Sequence, residues 1–288
     1  MKKNKYKLII GAVLILVILS LMALTIRIIF FVKMYNYNYG YSQKLISAIK
    51  ANNENKVKDI LNSPGNINSL PIFDNIISRD LINDPPITEA CRVGNINIIK
   101  MLLEHGASVK APKHSWNPLP AACSVYNPNR IEIIDLLIKY GADVNERDSD
   151  NNTPLLMSID GGYKDENGKK DIKQEEVMYK AFIDLVEKGA DIYAEDFQKR
   201  NSLLIASSSD NTLVVKYLIN ERKFDINKRD DYGKTALMLA IEGGSSETAE
   251  FLIKAGANKD IKDNEGKTAY DYAKKYKNQV VMKLLNLK

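Results

Sequence analysis

The stretch KYGADVN at residues 139–145 recurs along the chain in three close variants, EHGASVK at 104–110, EKGADIY at 187–193 and KAGANKD at 254–260. In every copy the third, fourth and seventh residues before the glycine are apolar, as Ile138, Leu137 and Ile134 are before Gly141. This spacing is typical of a helix with one buried face. A glycine directly after such a face predicts the end of the helix, because the left-handed conformation that closes a helix costs a residue with a Cβ atom about 1 kcal/mol or more. Each copy of the stretch is therefore expected to end a helix.

A second, shorter helix is predicted upstream of each glycine-terminated helix. Its start is marked by Thr, Asn or Pro, which are favoured at the N-terminal ends of helices. The corresponding stretches are PPITEAC from Pro85, NPLPAAC from Asn117, TPLLMS from Thr153, NSLLIAS from Asn201, TALMLAI from Thr235 and TAYDYAK from Thr268. The step from Thr235 to Thr268 is 33 residues. The repeating unit is thus a turn, a short helix, a longer helix and a loop that contains the glycine.

A period in the thirties with this content resembles the ankyrin repeat, whose first helix starts with Thr-Pro-Leu-His-x-Ala. The resemblance covers residues 41–288, with six units from about Asp84 onward and a degenerate unit before them in LISAIKANNENKVKDILNSPGNIN at 45–68. Segments near 69–83 and 161–174 are interpreted as insertions. The resemblance implies an all-α fold, an ankyrin-repeat α-solenoid of stacked helix-turn-helix units.

Two departures from the ankyrin pattern lead to specific expectations. In the unit around Tyr217, Lys223 and Phe224 replace the Gly-Ala pair, so the ankyrin pattern predicts the loop of this unit least well. No unit keeps the histidine of the first helix, and we expect the hydrogen bond of that histidine to be missing. Its place is taken by Thr88, Pro120, Leu156, Leu204, Met238 and Asp271.

The first 40 residues differ in character from the repeats. Residues 1–7 form a basic flank with four lysines, and the 19 residues from Leu8 to Ile26 carry no charge. A membrane span needs about 20 residues at 1.5 Å each. We therefore interpret residues 8–32 as a transmembrane helix or signal anchor that crosses the membrane once, and residues 33–40 as a short linker.

The alternative for this segment is a cleaved signal peptide, which would leave a soluble exported binding protein that begins near Tyr35. Signal peptides have an apolar region of about 7–15 residues and a small-x-small cleavage site, whereas here Ala23 is preceded two places earlier by Leu21. The longer apolar run favours the anchor. Because the lysines are concentrated before the span, we expect a cytoplasmic N-terminus and extracytoplasmic repeats. The abundance of Asn, Lys and Ile suggests a bacterial source, and hence the inner membrane.

The formal net charge of +5 arises from the N-terminal segment. Residues 1–33 contain six of the 41 basic residues and none of the 36 acidic ones, so the rest of the chain has a net charge of −1. A mixed surface of this kind lacks the positive field that follows phosphates, and nucleic acid is not an expected partner.

Cys91 and Cys123 occupy the same place in neighbouring units. Packed helices lie about 8–10 Å apart, and a disulfide needs Cα atoms within about 7 Å of each other. We therefore expect two buried free thiols, which say nothing about the redox compartment.

No pattern in the sequence indicates a catalytic, metal or cofactor site. His105 precedes a helix-closing glycine, where a solvent-exposed residue is expected, and His114 lies in a turn without a suitable metal-ligand neighbour. The stretch DENG at 165–168 fails as a calcium loop, because its first and twelfth positions would be Tyr163 and Gln174 instead of Asp and Glu. The chain is expected to be non-catalytic and to bind no small-molecule substrate. An enzymatic alternative would use the carboxylates Asp165, Glu166, Asp171, Glu175 and Glu176.

In ankyrin proteins the hairpin tips and the concave face of the short helices bind partner proteins, so the resemblance implies a protein–protein interaction module. Trp116, Phe197 and Tyr232 fall in these turns, where packing against a neighbouring turn and binding are equally plausible roles. Exposed aromatic residues flanked by polar groups are typical of interfaces. The candidate protein-binding residues are Arg92, Trp116, Asp196, Phe197, Lys199, Asp231, Tyr232, Glu242 and Asn264. We expect a membrane-anchored scaffold that holds an unidentified partner protein near the membrane.

Overall fold

The computed structural model describes residues 2–68, 84–110, 116–148, 150–159 and 171–286. Within these residues the chain forms fourteen α-helices and no strand. The helices are α1 (Lys2–Lys50), α2 (Glu54–Leu61), α3 (Pro86–Val93), α4 (Ile96–Glu104), α5 (Pro118–Ser124), α6 (Arg130–Lys139), α7 (Pro154–Ile159), α8 (Ile172–Glu187), α9 (Ser202–Ser208), α10 (Thr212–Asn220), α11 (Ala236–Glu242), α12 (Ser246–Lys254), α13 (Ala269–Lys275) and α14 (Gln279–Asn286). The prediction of an all-α fold is confirmed.

The chain divides between residues 83 and 84 into two compact units. In the first unit α1 packs on α2, and Leu45, Ile49 and Val57 are fully buried. The side chain of Asn53 starts α2 by accepting the backbone N–H of Lys56 at 2.9 Å. Residues 33–40, expected to be a linker, continue α1 without a break. The expected insertion at 69–83 lies outside the described residues.

The helix α1 is long and apolar enough to cross a membrane. Its large apolar side chains between Leu19 and Met34 are exposed. A signal sequence near the N-terminus and a core helix of a soluble protein pass the same test of length and hydropathy.

The second unit, residues 84–288, contains the helix pairs from α3–α4 to α13–α14. The shorter first helices contact one another in order, α3 with α5, α5 with α7, α7 with α9, α9 with α11 and α11 with α13. The longer second helices form a matching series of contacts from α4 with α6 to α12 with α14. Residues 84–288 therefore form a two-layered solenoid, with the short helices in one layer and the long helices in the other.

The glycines that follow the long helices adopt the predicted conformation. The φ angles of Gly106, Gly141, Gly189 and Gly256 lie between +83° and +94°. At the first of these, Ala107 N donates to Leu102 O at 2.9 Å, which satisfies a carbonyl at the end of α4. In the unit around Tyr217, Lys223 takes the same role at a φ of +55°. The helix-ending function is thus kept even where glycine is absent, at the cost of backbone strain in Lys223.

At the position usually held by the histidine of the first helix, other side chains form hydrogen bonds in two units. Thr88 Oγ1 donates to the carbonyl of Trp116 at 2.9 Å, which joins α3 to the turn of the next unit. The carboxylate of Asp271 accepts the backbone N–H of Thr268 at 2.8 Å and so forms a capping box at the start of α13. Short polar side chains at this position therefore replace part of the missing histidine contact.

The two cysteines are buried and unbridged, as predicted. Burial raises the pKa of the Cys91 thiol far above its usual range and raises that of Cys123 to about 12. Both therefore remain protonated and act as small apolar residues between helices.

The helix α8 is longer than the other second helices, because it begins inside the segment expected to be an insertion. Asp171 accepts the backbone N–H groups of Lys173 at 3.0 Å and of Gln174 at 3.2 Å, which starts the helix at Ile172. Only residues 171–174 of the expected insertion at 161–174 are described.

Candidate protein-binding surface

An aspartate shapes the hairpin turn in four units of the solenoid. One oxygen of its carboxylate accepts the backbone N–H groups two and four residues further on, at 2.8–2.9 Å. An aspartate that bonds its own backbone in this way is a common turn-forming residue. The four residues are Asp148, Asp196, Asp230 and Asp263. These bonds fix the tip residues that follow each aspartate.

Burial and hydrogen bonding shift the pKa values of two of these carboxyl groups in opposite directions. Burial raises the pKa of Asp230, although two backbone N–H groups partly offset it. At Asp263 burial is outweighed by the Tyr272 hydroxyl, which donates at 2.7 Å, and by two backbone N–H groups, so the pKa of this carboxyl is lowered. The bond between Asp263 and Tyr272 ties the last turn to α13.

Successive hairpin tips are joined by backbone hydrogen bonds. The three N–H···O bonds, each 3.0 Å long, run from Phe197 to Asp150, from Asp231 to Gln198 and from Asn264 to Tyr232. The tips therefore form one continuous edge of the solenoid, and the backbone positions that carry its side chains are fixed relative to one another.

Five of the predicted binding residues meet on this edge, and we call them the tip patch. Phe197 is 60% exposed and Tyr232 is 54% exposed. Lys199 Nζ pairs with Asp231 Oδ1 at 2.7 Å. The side-chain amide of Asn264 donates to the Asp231 carbonyl at 2.8 Å. The tip patch thus presents two aromatic rings within a polar, hydrogen-bonded frame.

Two other predicted residues serve contacts within the fold. Asp196 was expected at the surface, but it is only 3% exposed, because its carboxylate points inward to hold the turn and accepts Arg200 Nε at 2.7 Å. Asp196 is therefore not part of the exposed candidate surface. Glu242, at the end of α11, pairs with Lys234 Nζ at 2.6 Å and accepts the Tyr276 hydroxyl at 3.2 Å.

The remaining predicted residues, Arg92 and Trp116, form a second group. The Arg92 guanidinium lies 5.5 Å from the centre of the Trp116 ring and pairs with Asp84 at 2.5 Å. Asp84 also accepts the backbone N–H of Trp116 at 2.9 Å. These contacts hold the indole in place while leaving it 42% exposed.

Trp116 lines a cleft that the sequence did not reveal, and we call it the Trp116 cleft. Its volume is about 200 Å³. The other lining residues come from three units and are Ser124, Asn152, Leu156, Met157, Arg200 and Ile205. Ser124 and Met157 lie on the short helices α5 and α7, whereas Asn152 and Arg200 lie in turns. No single sequence motif contains these residues, so only the stacking of units brings them together.

The described residues contain no group of His, Cys, Asp and Glu side chains that could hold a metal ion. His105 is exposed at the end of α4, and His114 lies outside the described residues. Of the carboxylates in the enzymatic alternative, Asp171 starts α8 and Glu175 is buried, where it accepts the backbone N–H of Leu213 at 3.2 Å. Asp165 and Glu166 lie outside the described residues.

Comparison with known proteins agrees with this architecture. The family model described as "Ankyrin repeats (3 copies)" matches residues 45–148, 174–263 and 203–287. "Ankyrin repeat and KH domain-containing protein mask-1" of Caenorhabditis elegans is 33% identical over 138 residues, which are 47% of this chain and 5% of that protein. "Putative ankyrin repeat protein FPV223" of Fowlpox virus is 27% identical over 155 residues, which are 54% of this chain and 97% of that protein.

A further relative is named as an enzyme. "Palmitoyltransferase AKR1" of Lachancea kluyveri is 29% identical over 187 residues, which are 62% of this chain and 23% of that protein. This chain therefore corresponds to a minor part of both the nematode and the yeast proteins, and their whole-protein activities are not transferred to it.

The stacked helix pairs and their linked hairpin tips define an α-solenoid repeat protein. Because the family model matches more than half of the sequence, the chain belongs to the ankyrin repeat family. Ankyrin repeats are protein–protein interaction modules and are generally non-catalytic.

Proposed function

We propose that this protein is a membrane-anchored, non-catalytic interaction module that binds a partner protein along the tip patch and the Trp116 cleft. One observation carries the proposal: Trp116, Phe197 and Tyr232 are held by hydrogen-bonded turns yet remain 42%, 60% and 54% exposed. Aromatic anchors contribute most to interface energies. A turn whose backbone is already fixed also loses little conformational freedom on binding.

The cleft supports a protein partner over a small-molecule substrate. Small-molecule sites have volumes of about 300–1,000 Å³, and the Trp116 cleft has about 200 Å³. That volume suits one side chain of a partner, with Trp116 and Met157 as the apolar walls and Asn152 as a polar contact. The polar frame of the tip patch would then form the rim of the same interface.

Partner binding is expected to depend on Trp116 and Tyr232. A photo-crosslinking amino acid at Phe197 of the full-length protein should give a discrete adduct in cells, and the adduct identifies the partner. Trp116→Ala and Tyr232→Ala should each weaken the affinity of that partner about 30-fold, which is the loss expected for an interface hot spot of about 2 kcal/mol. The affinity is measured by surface plasmon resonance with the purified partner.

The control for this experiment is Tyr140→Ala, which removes an exposed ring at the end of α6, in the layer of long helices. We expect it to leave the affinity unchanged. If Trp116→Ala and Tyr232→Ala also leave it unchanged, the proposed surface is not the binding site.

We further propose that α1 is the membrane anchor, with the N-terminus in the cytoplasm and the repeats outside it, at a bacterial inner membrane. The exposed apolar side chains between Leu19 and Met34 support the anchor. So does the continuity of α1, because Leu45 and Ile49 in the core of the first unit belong to the same helix as the apolar segment. Cleavage near Tyr35, as the exported soluble alternative requires, would cut this helix about two thirds of the way along its length.

Protease accessibility tests this topology. With an epitope at the C-terminus, the repeats should be digested once the outer barrier is opened and the inner membrane is still intact, and the protected fragment should retain residues 8–32. Resistance until the inner membrane is broken would reverse the orientation. A mature N-terminus near Tyr35 would establish the soluble alternative instead.

A further inference from the structure

A pocket in the first unit lies between α1 and α2, and the protein-binding surface does not use it. Its volume is about 480 Å³, and its walls include Asn36, Tyr37, Gly40 and Lys44 of α1 and Lys56 and Asp59 of α2. Gly40 borders open space, because a Cβ atom at this position would meet no atom within 4 Å.

The pocket is lined by two lysine side chains, Lys44 and Lys56, that form no ion pair within the described residues. Both lysines are exposed. Asp59 is the one carboxylate among the lining residues, so the pocket has a net charge of +1. The side-chain amide of Asn36 adds a hydrogen-bond donor at the end of the pocket that lies towards the apolar segment. Ammonium and amide donors around an open space are suited to an anionic oxygen group.

The pocket begins directly after the apolar segment ends at Met34. The nearest lining residues, Asn36 and Tyr37, follow two and three residues later, which is about 3–5 Å along a helix. The polar interface of a bilayer extends about 5–7 Å beyond the hydrocarbon on each side. Side chains on a helix tilt towards its N-terminus, so Lys44 reaches back towards that interface.

Two tyrosines strengthen this placement. Tyr37 and Tyr41 line the pocket, and tyrosine is enriched where a transmembrane helix leaves the hydrocarbon. The Tyr37 hydroxyl donates to the Pro64 carbonyl, which ties the chain after α2 to this level of α1. Gly65 allows the same close approach, because a Cβ atom there would overlap the Tyr41 ring.

We infer that this pocket binds the headgroup of an anionic phospholipid, with the phosphate between Lys44 and Lys56 and a headgroup hydroxyl at Asp59. The inference rests on the membrane anchoring proposed above and specifies a ligand at the point where the anchor leaves the bilayer. A headgroup of net negative charge fits the positive pocket better than a zwitterionic one. Binding would fix the height of the first unit relative to the membrane surface.

The test uses the full-length protein reconstituted into vesicles of equal parts phosphatidylglycerol and phosphatidylcholine. Retained lipid is measured by native mass spectrometry after mild detergent extraction. We expect one phosphatidylglycerol per chain, with a preference over phosphatidylcholine of at least 5-fold. Lys44→Glu should abolish the preference by reversing the charge, and Gly40→Leu should abolish it by filling the pocket.

Lys58→Glu is the matched control, because it makes the same charge change on α2 outside the pocket. It should keep the preference. Equal losses in Lys44→Glu and Lys58→Glu, or equal retention of both lipids by the unaltered protein, would overturn the inference. Tight binding of water-soluble glycerol phosphate to the delipidated protein, at affinities equal to those for the lipid, would assign the pocket to a free phosphate compound instead.

Flotation of the vesicles separates failure of this inference from failure of the proposed anchor. If α1 does not anchor the protein, no variant floats with vesicles of either lipid. If only the pocket assignment is wrong, every variant floats normally and none shows a lipid preference. Circular dichroism of the variants confirms that the helices are retained.

Discussion

Replacement of Phe182 by alanine is expected to lower the free energy of unfolding by about 3–5 kcal/mol, the usual cost of removing a buried phenylalanine. Phe182 is fully buried on α8. Its ring meets Tyr217 of α10 edge-on, with 6.0 Å between the centroids and 80° between the planes. The cavity would open between two neighbouring repeats, where the surrounding helices are held by their own contacts and cannot close it. Urea denaturation of the full-length protein in mild detergent measures the loss.

Tyr140→Ala is the control for this substitution, since its ring is exposed at the end of α6. Surface substitutions of this kind change stability by about 0.5 kcal/mol or less. A loss below about 1 kcal/mol for Phe182→Ala would show that the contact between α8 and α10 contributes little to the stability of the solenoid.

The second large effect is expected at Gly243, where alanine should destabilise the solenoid by about 1–3 kcal/mol. A Cβ atom on Gly243 would stand 2.3 Å from the carbonyl oxygen of Ser208. Because that oxygen belongs to the backbone of α9, it cannot turn aside as a side chain would, and α9 and α11 would have to separate. The same denaturation experiment detects the change.

The adjacent Gly244 provides an internal comparison, because glycine is favoured there by its backbone conformation and not by a close contact. Its φ is +74°, and an added Cβ atom would meet nothing within 4 Å. Alanine there should cost only about 1 kcal/mol of backbone strain. Asparagine tolerates the left-handed conformation and should recover part of this loss at Gly244, but it should not do so at Gly243. Equal responses at the two positions would refute the close-contact explanation.

The helix ends show how much of the fold was predictable from local patterns. The glycines after the long helices were identified from their spacing alone, and all four have positive φ. A helix end depends on residues within one or two turns of it, so the information lies in a short stretch of chain. Lys223 was correctly aligned with these glycines, although nothing local showed that it would adopt the same conformation.

Asp196 shows where residue-by-residue reasoning about the surface failed. Its polarity and its place in a turn suggested an exposed binding residue, whereas the turn uses its carboxylate internally. The sequence did contain a warning, because Asp196, Asp230 and Asp263 follow one another at steps of 34 and 33 residues. A residue that recurs at the repeat period is required by the fold of each repeat. The aromatic residues Phe197 and Tyr232 do not recur in this way, because the equivalent positions in the turn after Asp263 are Asn264 and Glu265.

The sequence by itself determined the repeat period, the all-α class, the helix ends and the apolar N-terminal segment, because each depends on contacts within one turn or one helical face. The tertiary structure decided which polar residues face inward, how the tips join into one edge, and which side chains surround the Trp116 cleft. It also placed Lys44 and Lys56 around one pocket beside the apolar segment. These features depend on stacking between units and helices separated by many residues, and the distances created by that stacking are not encoded in any single stretch of the chain.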